Sequence, residues 1–284
     1  MPDLRLDTEV QQQTVDHYSP LWAETPANPA AQDTSVAGGH AAVVDVSVPL
    51  LKRDPQVIVD AGCGDGADVA WFARHTQAQV IGLDLSEGVF VAAARCRGMP
   101  NVHIVRGTVL AMPLQPNIAD LVYSYGVLHH TPQPAAAFAG IARLLRAGGK
   151  LVVYVYTDLR EEPLVWLALQ PVQLLRRVTR RLSPRQLRAV ARSLSPLPYL
   201  AFGLPATALH RIGWSRAANR LPFNWIRAPF AAYGDLYDRL GAQFEWRHNH
   251  SEIEGWCMQA KLTAVAVRKL PDRRGWIATG QLPR

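Results

Sequence analysis

Two runs of residues in this chain have types and spacing that could do chemistry. The first is Asp60-Ala61-Gly62-Cys63-Gly64-Asp65-Gly66, in which three glycines alternate with other residues. Glycines let a backbone bend sharply and approach a ligand with no Cβ atoms in the way. A turn of this kind leading into a helix also offers unpaired N–H groups to that ligand. The spacing is Asp-x-Gly-x-Gly-x-Gly, and the third glycine is misplaced for the Gly-x-Gly-x-x-Gly of nicotinamide enzymes. The second run is Tyr123-Ser124-Tyr125-Gly126-Val127-Leu128-His129-His130, whose histidines are suited to take a proton near neutral pH. Cys63, Cys96 and Cys257 fit neither a metal-ligand nor a disulfide spacing. His248-Asn249-His250 lacks the further ligands a metal site needs, so no metal is expected.

The elements that must position these runs follow from hydrophobic patterning. Val57-Ile58-Val59 reads as a buried parallel strand and Ala67 to Ala73 as the helix after the glycine turn. Val80 to Asp84 is the second strand, with Ser86 able to cap the next helix. Val102 to Arg106 is the third strand, followed by Gly107-Thr108-Val109, and Ala119 to Ser124 is the fourth. A helix over Ala135 to Arg146 is expected to end at Gly148-Gly149 in the left-handed geometry glycine permits, before a fifth strand from Lys150 to Tyr156. This alternation is the pattern of a doubly wound α/β sheet.

The rhythm then breaks. Pro163 to Leu175 and Pro184 to Leu194 read as helices, followed by a segment spotted with Pro196, Pro198, Pro205, Pro222 and Pro229. An insertion over 158–248 is too long for a plain loop and is expected to form a helical cap. Ser251 to Ala260 reads as a helix capped by Ser251. Leu262 to Val267 is a strand, and Trp276 to Thr279 returns antiparallel to it after a turn over Pro271 to Gly275. At the other end, Tyr18 and Trp22 share a helix face, either packed on the main domain or acting as a flap over a ligand. Residues 24–39 read as a loop and Ala41 to Leu51 as a helix. The expected organisation is an N-terminal segment over 1–52, a cofactor-binding core over 53–157, the insert over 158–248, and a last helix and hairpin over 249–284.

Together these pieces resemble the class I S-adenosylmethionine-dependent methyltransferases, from about Val57 to Tyr156, with the segment at 251–280 completing the layout. The resemblance implies an α/β fold: a Rossmann-like seven-stranded, mostly parallel sheet with a helical cap. It also implies S-adenosyl-L-methionine as cofactor. On that basis Asp60, Gly62, Cys63, Gly64 and Gly66 would lie against its methionine and ribose parts. Asp84, followed by Leu85, would accept from the ribose hydroxyls, as a carboxylate can. The family often carries an aspartate where this chain has Thr108, so Thr108 or main-chain groups around Val109 would meet the adenine. Ser124 completes the cofactor set. Tyr125, His129 and His130 match the region beside the transferring methyl, with Tyr125 shaping the pocket and the histidines as candidate bases. Thr14, Tyr18 and Trp22 match the Thr-x3-aromatic-x3-Trp pattern of a bacterial subgroup with a large insert after the fifth strand. The segment from Arg247 to Trp256 resembles that subgroup's His-Thr-x-x-Glu-Val-x-x-Trp, with Asn249 in place of the threonine. Tyr18, Trp22 and His248 are then candidates for the acceptor side.

The Asp/Asn-Pro-Pro-aromatic of nucleic-acid amino methyltransferases and the Pro-Cys of cytosine C5 enzymes are both missing after the fourth strand. Of the 284 residues, 49% are hydrophobic, enough for a substantial core. The apolar run from Leu164 to Leu175 is too short to span a bilayer and is broken by Pro171, and no secretory signal is visible, so a cytoplasmic protein is expected. Net charge is +7, largely from arginine. Arg176, Arg177, Arg180, Arg181, Arg185, Arg188 and Arg192 recur at helical steps. They form a solvated outer face, a site for an anionic substrate or acidic carrier, or a membrane-surface contact. The expected activity is methyl transfer to O, N or C of a small or amphipathic metabolite, with no nucleic acid bound and a homodimer as candidate assembly. RNA or protein methylation, and binding of S-adenosylmethionine without catalysis, stay open as alternatives.

Overall fold

Short β-branched runs alternating with helices build a seven-stranded sheet in the order β3-β2-β1-β4-β5-β7-β6. Its strands are β1 (Val57–Ala61), β2 (Gln79–Asp84), β3 (Val102–Arg106), β4 (Ala119–Tyr125), β5 (Leu145–Tyr156), β6 (Thr263–Lys269) and β7 (Gly275–Gln281). The computed structural model describes residues 8–23, 55–160, 162–222, 229, 233–270 and 275–284. The loop expected at 24–39, the helix at Ala41 to Leu51 and most of the turn after Leu270 lie outside the described residues. Strands β1 to β5 are parallel, and β7 runs antiparallel to both β5 and β6. The chain winds from β1 outward to β3, then restarts at β4 on the other side of β1. That reversal opens a crevice at the carboxyl ends of β1 and β4, the place where such sheets take their ligands.

Strand alternation fixes which side each residue faces. Val59 and Ala61 of β1 join Val122, Leu151 and Val153 in one core. It is closed by Phe138 and Ile141 of a helix over Pro134–Ala142 and by Ile253 and Cys257 of a helix over His250–Gln259. Ile58, Val80, Leu121, Tyr123 and Val152 face the other core, closed by Val69 and Phe72 of Ala67–His75 and Ala92 of Gly88–Arg95. In chain order the helices are α1 (Thr8–Ala23), α2 (Ala67–His75), α3 (Gly88–Arg95), α4 (Pro134–Ala142), α5 (Pro163–Thr179) and α6 (Pro184–Leu194). They continue as α7 (Leu204–Arg211), α8 (Ser215–Arg220), α9 (Tyr233–Gly241) and α10 (His250–Gln259).

Several boundaries differ from the sequence reading for identifiable reasons. α4 stops at Ala142, because Leu144 and Leu145 are buried and Ala119 donates to the Leu144 carbonyl, which starts β5 early. Gly148 therefore takes its left-handed φ of 79° inside a β5 bulge, between the pairs Ala119–Leu145 and Leu121–Lys150, rather than at a helix end. α10 is capped by Asn249, not Ser251: the Asn249 side chain accepts from Glu252 N at 2.9 Å and Glu252 accepts from Asn249 N at 3.0 Å. The proline-spotted stretch is itself helical over much of its length. Pro196 and Pro205 sit in first turns, where an N–H is not needed.

The chain forms two compact units, Met1–Thr157 with Phe244–Arg284, and Asp158–Gln243. The first holds the sheet. In the second, Thr179 Oγ1 donates to the Leu240 carbonyl at 2.6 Å and Arg176 donates twice to the Ala242 carbonyl, joining α5 to the end of α9. α5 thus runs to Thr179, beyond the Leu175 expected from sequence.

Candidate functional site

The glycine run forms the turn between β1 and α2. Gly62 N and Cys63 N both donate to the Leu83 carbonyl, at 2.7 and 3.0 Å, and Gly64 N donates to Asp84 Oδ2 at 2.9 Å. The turn is therefore tied to the end of β2, with φ of 93°, 51° and 76° at Gly62, Gly64 and Gly66. A Cβ on Gly66 would stand 2.7 Å from Ala92 Cβ, and one on Gly64 would stand 2.8 Å from the Trp22 ring. Gly88 meets the same ring, so the Trp22 indole lies against both glycines. Ser19 Oγ accepts from Glu87 N at 3.0 Å, which fastens α1 to the same corner. Asp84 Oδ1 accepts from Ser86 N and Ser86 Oγ. Three of the roughly four acceptor positions of that carboxylate are used by the protein, which leaves one for a ligand hydroxyl.

Negative charge gathers behind this turn. Asp60 is 2% exposed, and burial, followed by Asp68, Asp84 and Asp65, pushes its carboxyl well above the usual range. Its Oδ2 meets no hydrogen-bond donor. Arg95 is paired to Asp65 at 2.6 Å, and Tyr123 donates its hydroxyl to Asp68 at 3.0 Å. Burial first and Asp68 second push the Tyr123 hydroxyl up in turn. Such a pocket suits a ligand that brings positive charge and N–H donors. Cys63 packs beside Gly82, and burial, then Asp60, pushes its thiol up, so it serves as filling rather than as a nucleophile.

The other expected cofactor residues take varied positions. The Leu85 carbonyl accepts from Arg106 Nε at 3.3 Å. Thr108 Oγ1 accepts from Leu110 N at 3.2 Å in a tight turn, and the Val109 carbonyl points at Gly140 of α4. Ser124 is wholly buried and donates to the Ala61 carbonyl at 2.7 Å, holding the glycine turn from behind.

At the carboxyl ends of β4 and β5 the structure assembles a string of rings. Tyr125 stacks on Tyr154 at 4.6 Å, and Tyr156 stacks on His129 at 3.8 Å. His129 adjoins His130 at 4.3 Å, and Tyr18 of α1 reaches His130 at 5.7 Å. Tyr18 and Trp22 of α1 therefore both meet the sheet unit, one at each expected run. The two histidines differ sharply. His129 is completely buried, with its ring against Tyr156. His130 is half-buried, and its Nδ1 lies 2.8 Å from the Phe244 carbonyl. A carbonyl can only accept, so Nδ1 carries the proton and Nε2 the lone pair.

Residues 244–248, which the sequence reading puts in the insert, run along this edge. Trp246 N donates to the His129 carbonyl and His248 N to the Tyr156 carbonyl, both at 2.9 Å. His248 is buried against Trp256, with Nδ1 3.4 Å from Glu252, and burial lowers its pKa against the opposing pull of Glu252. Its Nε2 has no partner. Tyr154, Tyr156 and Arg247, whose guanidinium lies 5.4 Å from the Tyr156 ring, are missing from the sequence-derived set. The alternation Tyr154-Val155-Tyr156 at the end of a strand is the signal that could have found the two tyrosines.

Residues 59–153 match the family model described as a methyltransferase domain. Among curated relatives, 24-methylenesterol C-methyltransferase 3 of Arabidopsis thaliana is 32% identical over 115 residues, covering 39% of this chain and 32% of that protein. Malonyl-[acyl-carrier protein] O-methyltransferase of Methylovorus sp. is 34% identical over 111 residues, covering 36% and 38%. The matches span about a third of the length of these relatives. Among solved structures, magnesium protoporphyrin IX methyltransferase of Synechocystis PCC 6803 superposes with a TM-score of 0.52 at 15% identity, covering 97% of this chain and 99% of that one. That likeness concerns the fold.

Proposed function

We propose that this chain, whose residues 59–153 match the methyltransferase-domain model, transfers the methyl group of S-adenosylmethionine to a small-molecule acceptor. The observation that carries the reading is the glycine turn bound to Asp84 at a sheet reversal, backed by buried carboxylates. S-adenosylmethionine brings a sulfonium, an ammonium and a ribose diol, and the residues present fit each. The carboxylates of Asp60 and its neighbours complement the positive charges, and the open acceptor position of Asp84 takes a ribose hydroxyl. When bound, the cofactor supplies an electrophilic methyl for in-line displacement. The chain's part is then to bind, orient and deprotonate.

Within that reading the glycines admit the cofactor backbone-close, and Trp22 and Tyr18 of α1 border it on the acceptor side. His130 is the proton acceptor, because Phe244 holds its Nδ1–H and leaves Nε2 basic; His129 is a packing residue that orients Tyr156. Acceptor choice is assigned in this reading to residues outside the matched segment 59–153. Sterol, acyl-carrier and porphyrin compounds in the names of similar proteins favour small or amphipathic acceptors over nucleic acid.

Isothermal titration with S-adenosylmethionine tests the core of the proposal. Binding with a stoichiometry near one is expected, and absence of both heat and a thermal shift would remove it. Transfer of labelled methyl into a small-molecule extract then separates the histidines. His130→Ala should lower turnover about a hundredfold at unchanged cofactor affinity, whereas His129→Ala should mainly lower stability. Full turnover in His130→Ala would leave positioning as the only contribution at that residue.

A further inference from the structure

The excess charge and the exposed apolar surface fall in the same unit. Residues 158–243 contain thirteen arginines against five acidic residues, a net +8, while the rest of the chain nets −1. Of the fourteen large hydrophobic residues exposed among the described residues, eleven are there. Scattered exposed apolar residues are ordinary, but a contiguous set marks an interaction surface.

α5 carries the densest part of this set. Its inner face is Val165, Leu169 and Thr179, all buried, with Arg176 and Thr179 bonded to carbonyls at the end of α9. Leu164, Leu167, Leu174, Leu175 and Val178 are 45 to 67% exposed, and Pro171 is exposed among them. At 3.6 residues per turn these six share an arc of about 100°. Arg177, Arg180, Arg181 and Arg185 flank or follow the stripe, all exposed. Trp166 and Trp214 are also more than half exposed, and tryptophan is a side chain favoured at the lipid headgroup level. An outward apolar stripe edged by arginines is the surface of a helix that lies in a membrane interface.

We propose that the Asp158–Gln243 unit docks on the surface of an anionic lipid bilayer, with the outer face of α5 lying in the plane of the interface. No described helix is long and apolar enough to cross a membrane, so the contact is superficial. Charge decides among occupants. A second copy of the chain would cover the stripe but set +8 against +8. RNA would meet the arginines but leave Leu164, Leu167 and Leu174 in water. An anionic bilayer answers both features. The proposal stands independently of the methyl-transfer reading.

Co-sedimentation of the full chain with phosphatidylcholine vesicles, with and without a quarter phosphatidylglycerol, tests this. Pelleting with the anionic vesicles alone is expected. Arg177→Ala/Arg180→Ala/Arg181→Ala should weaken partitioning about a hundredfold. Leu167→Ser/Leu174→Ser, which leaves charge unchanged, should weaken it about tenfold or more. Because these residues are exposed, circular dichroism and S-adenosylmethionine titration of each variant should match the parent. Failure to pellet with anionic vesicles would overturn the proposal. So would pelleting that the serine variant leaves unchanged, a dimer in light scattering that the serine variant dissociates, or salt-sensitive binding to RNA without any to vesicles.

Discussion

In the sheet unit the acids gathered behind the glycine turn are largely buried, whereas in residues 158–243 the ionisable groups are mostly exposed arginines. Asp60 and Asp68 are both below a tenth exposed, and Asp84 is fastened from two sides. Across the second unit, Arg177, Arg180 and Arg181 stand in solvent beside leucines that do the same. The first arrangement costs stability to hold buried acids together, which suits a preformed site for a cationic ligand. The second leaves its interaction potential on the surface, which suits a partner met by collision. The difference teaches that the two units carry ionisable groups of opposite sign at different depths, buried acids in one and exposed arginines in the other.

The largest expected effect breaks the sheet side of this contrast. Gly66→Val adds a side chain at a φ of 76° and drives its Cβ to within 2.9 Å of the Ala92 backbone as well as its methyl. A loss of about 3 kcal/mol in stability and at least a hundredfold in cofactor affinity is expected, read by denaturant unfolding and calorimetry. Unchanged affinity would mean the turn is not the cofactor's cradle.

Asp60→Asn sharpens the contrast with a smaller effect of opposite sign. The folded-state pKa of Asp60 is raised, so the group favours folding at low pH, and that contribution is lost as pH rises through the folded value. At pH 7 the amide should therefore raise Tm, by about 2–4 °C, and the gain should shrink toward pH 4. The same change should weaken S-adenosylmethionine, because an acidic group behind the turn is replaced by a neutral amide. A drop in Tm at neutral pH would show that the carboxylate is held by partners rather than strained.

The smallest effect tests the second unit alone. Thr179→Val keeps the shape but removes the bond to the Leu240 carbonyl, at an expected cost of about 0.5–1 kcal/mol in urea unfolding. Cofactor affinity should not change. If it does, the two kinds of surface are energetically coupled and the separation drawn above fails.

Strand by strand, the sheet was legible because its signals are local. Val57 to Val59, Val80 to Asp84 and Val102 to Arg106 each carry β-branched residues next to a glycine or polar break, and each is a strand. Where the reading slipped, the deciding interaction was either remote or one of two equivalent local matches. Leu145 begins β5 because Ala119 pairs with it, which no helical periodicity over Ala135 to Arg146 reveals. Asn249 caps α10 through Glu252, a match equally open to Ser251 from composition alone.

The candidate site divides in the same way. By itself the sequence determined the glycine turn, the acid that closes β2 and the pair of histidines after β4, because short-range spacing encodes a strand, a tight turn and a helix start. Only the tertiary structure decided which ring nitrogen of His130 faces a main-chain acceptor, since the Phe244 carbonyl beside its Nδ1 lies 114 positions away. It also decided that Trp22 rests on Gly64 and Gly88, and that the outer stripe of α5 faces water although its residues are as apolar as the buried ones. Hydrophobicity says that a side chain favours burial; only packing says which of two apolar faces receives it.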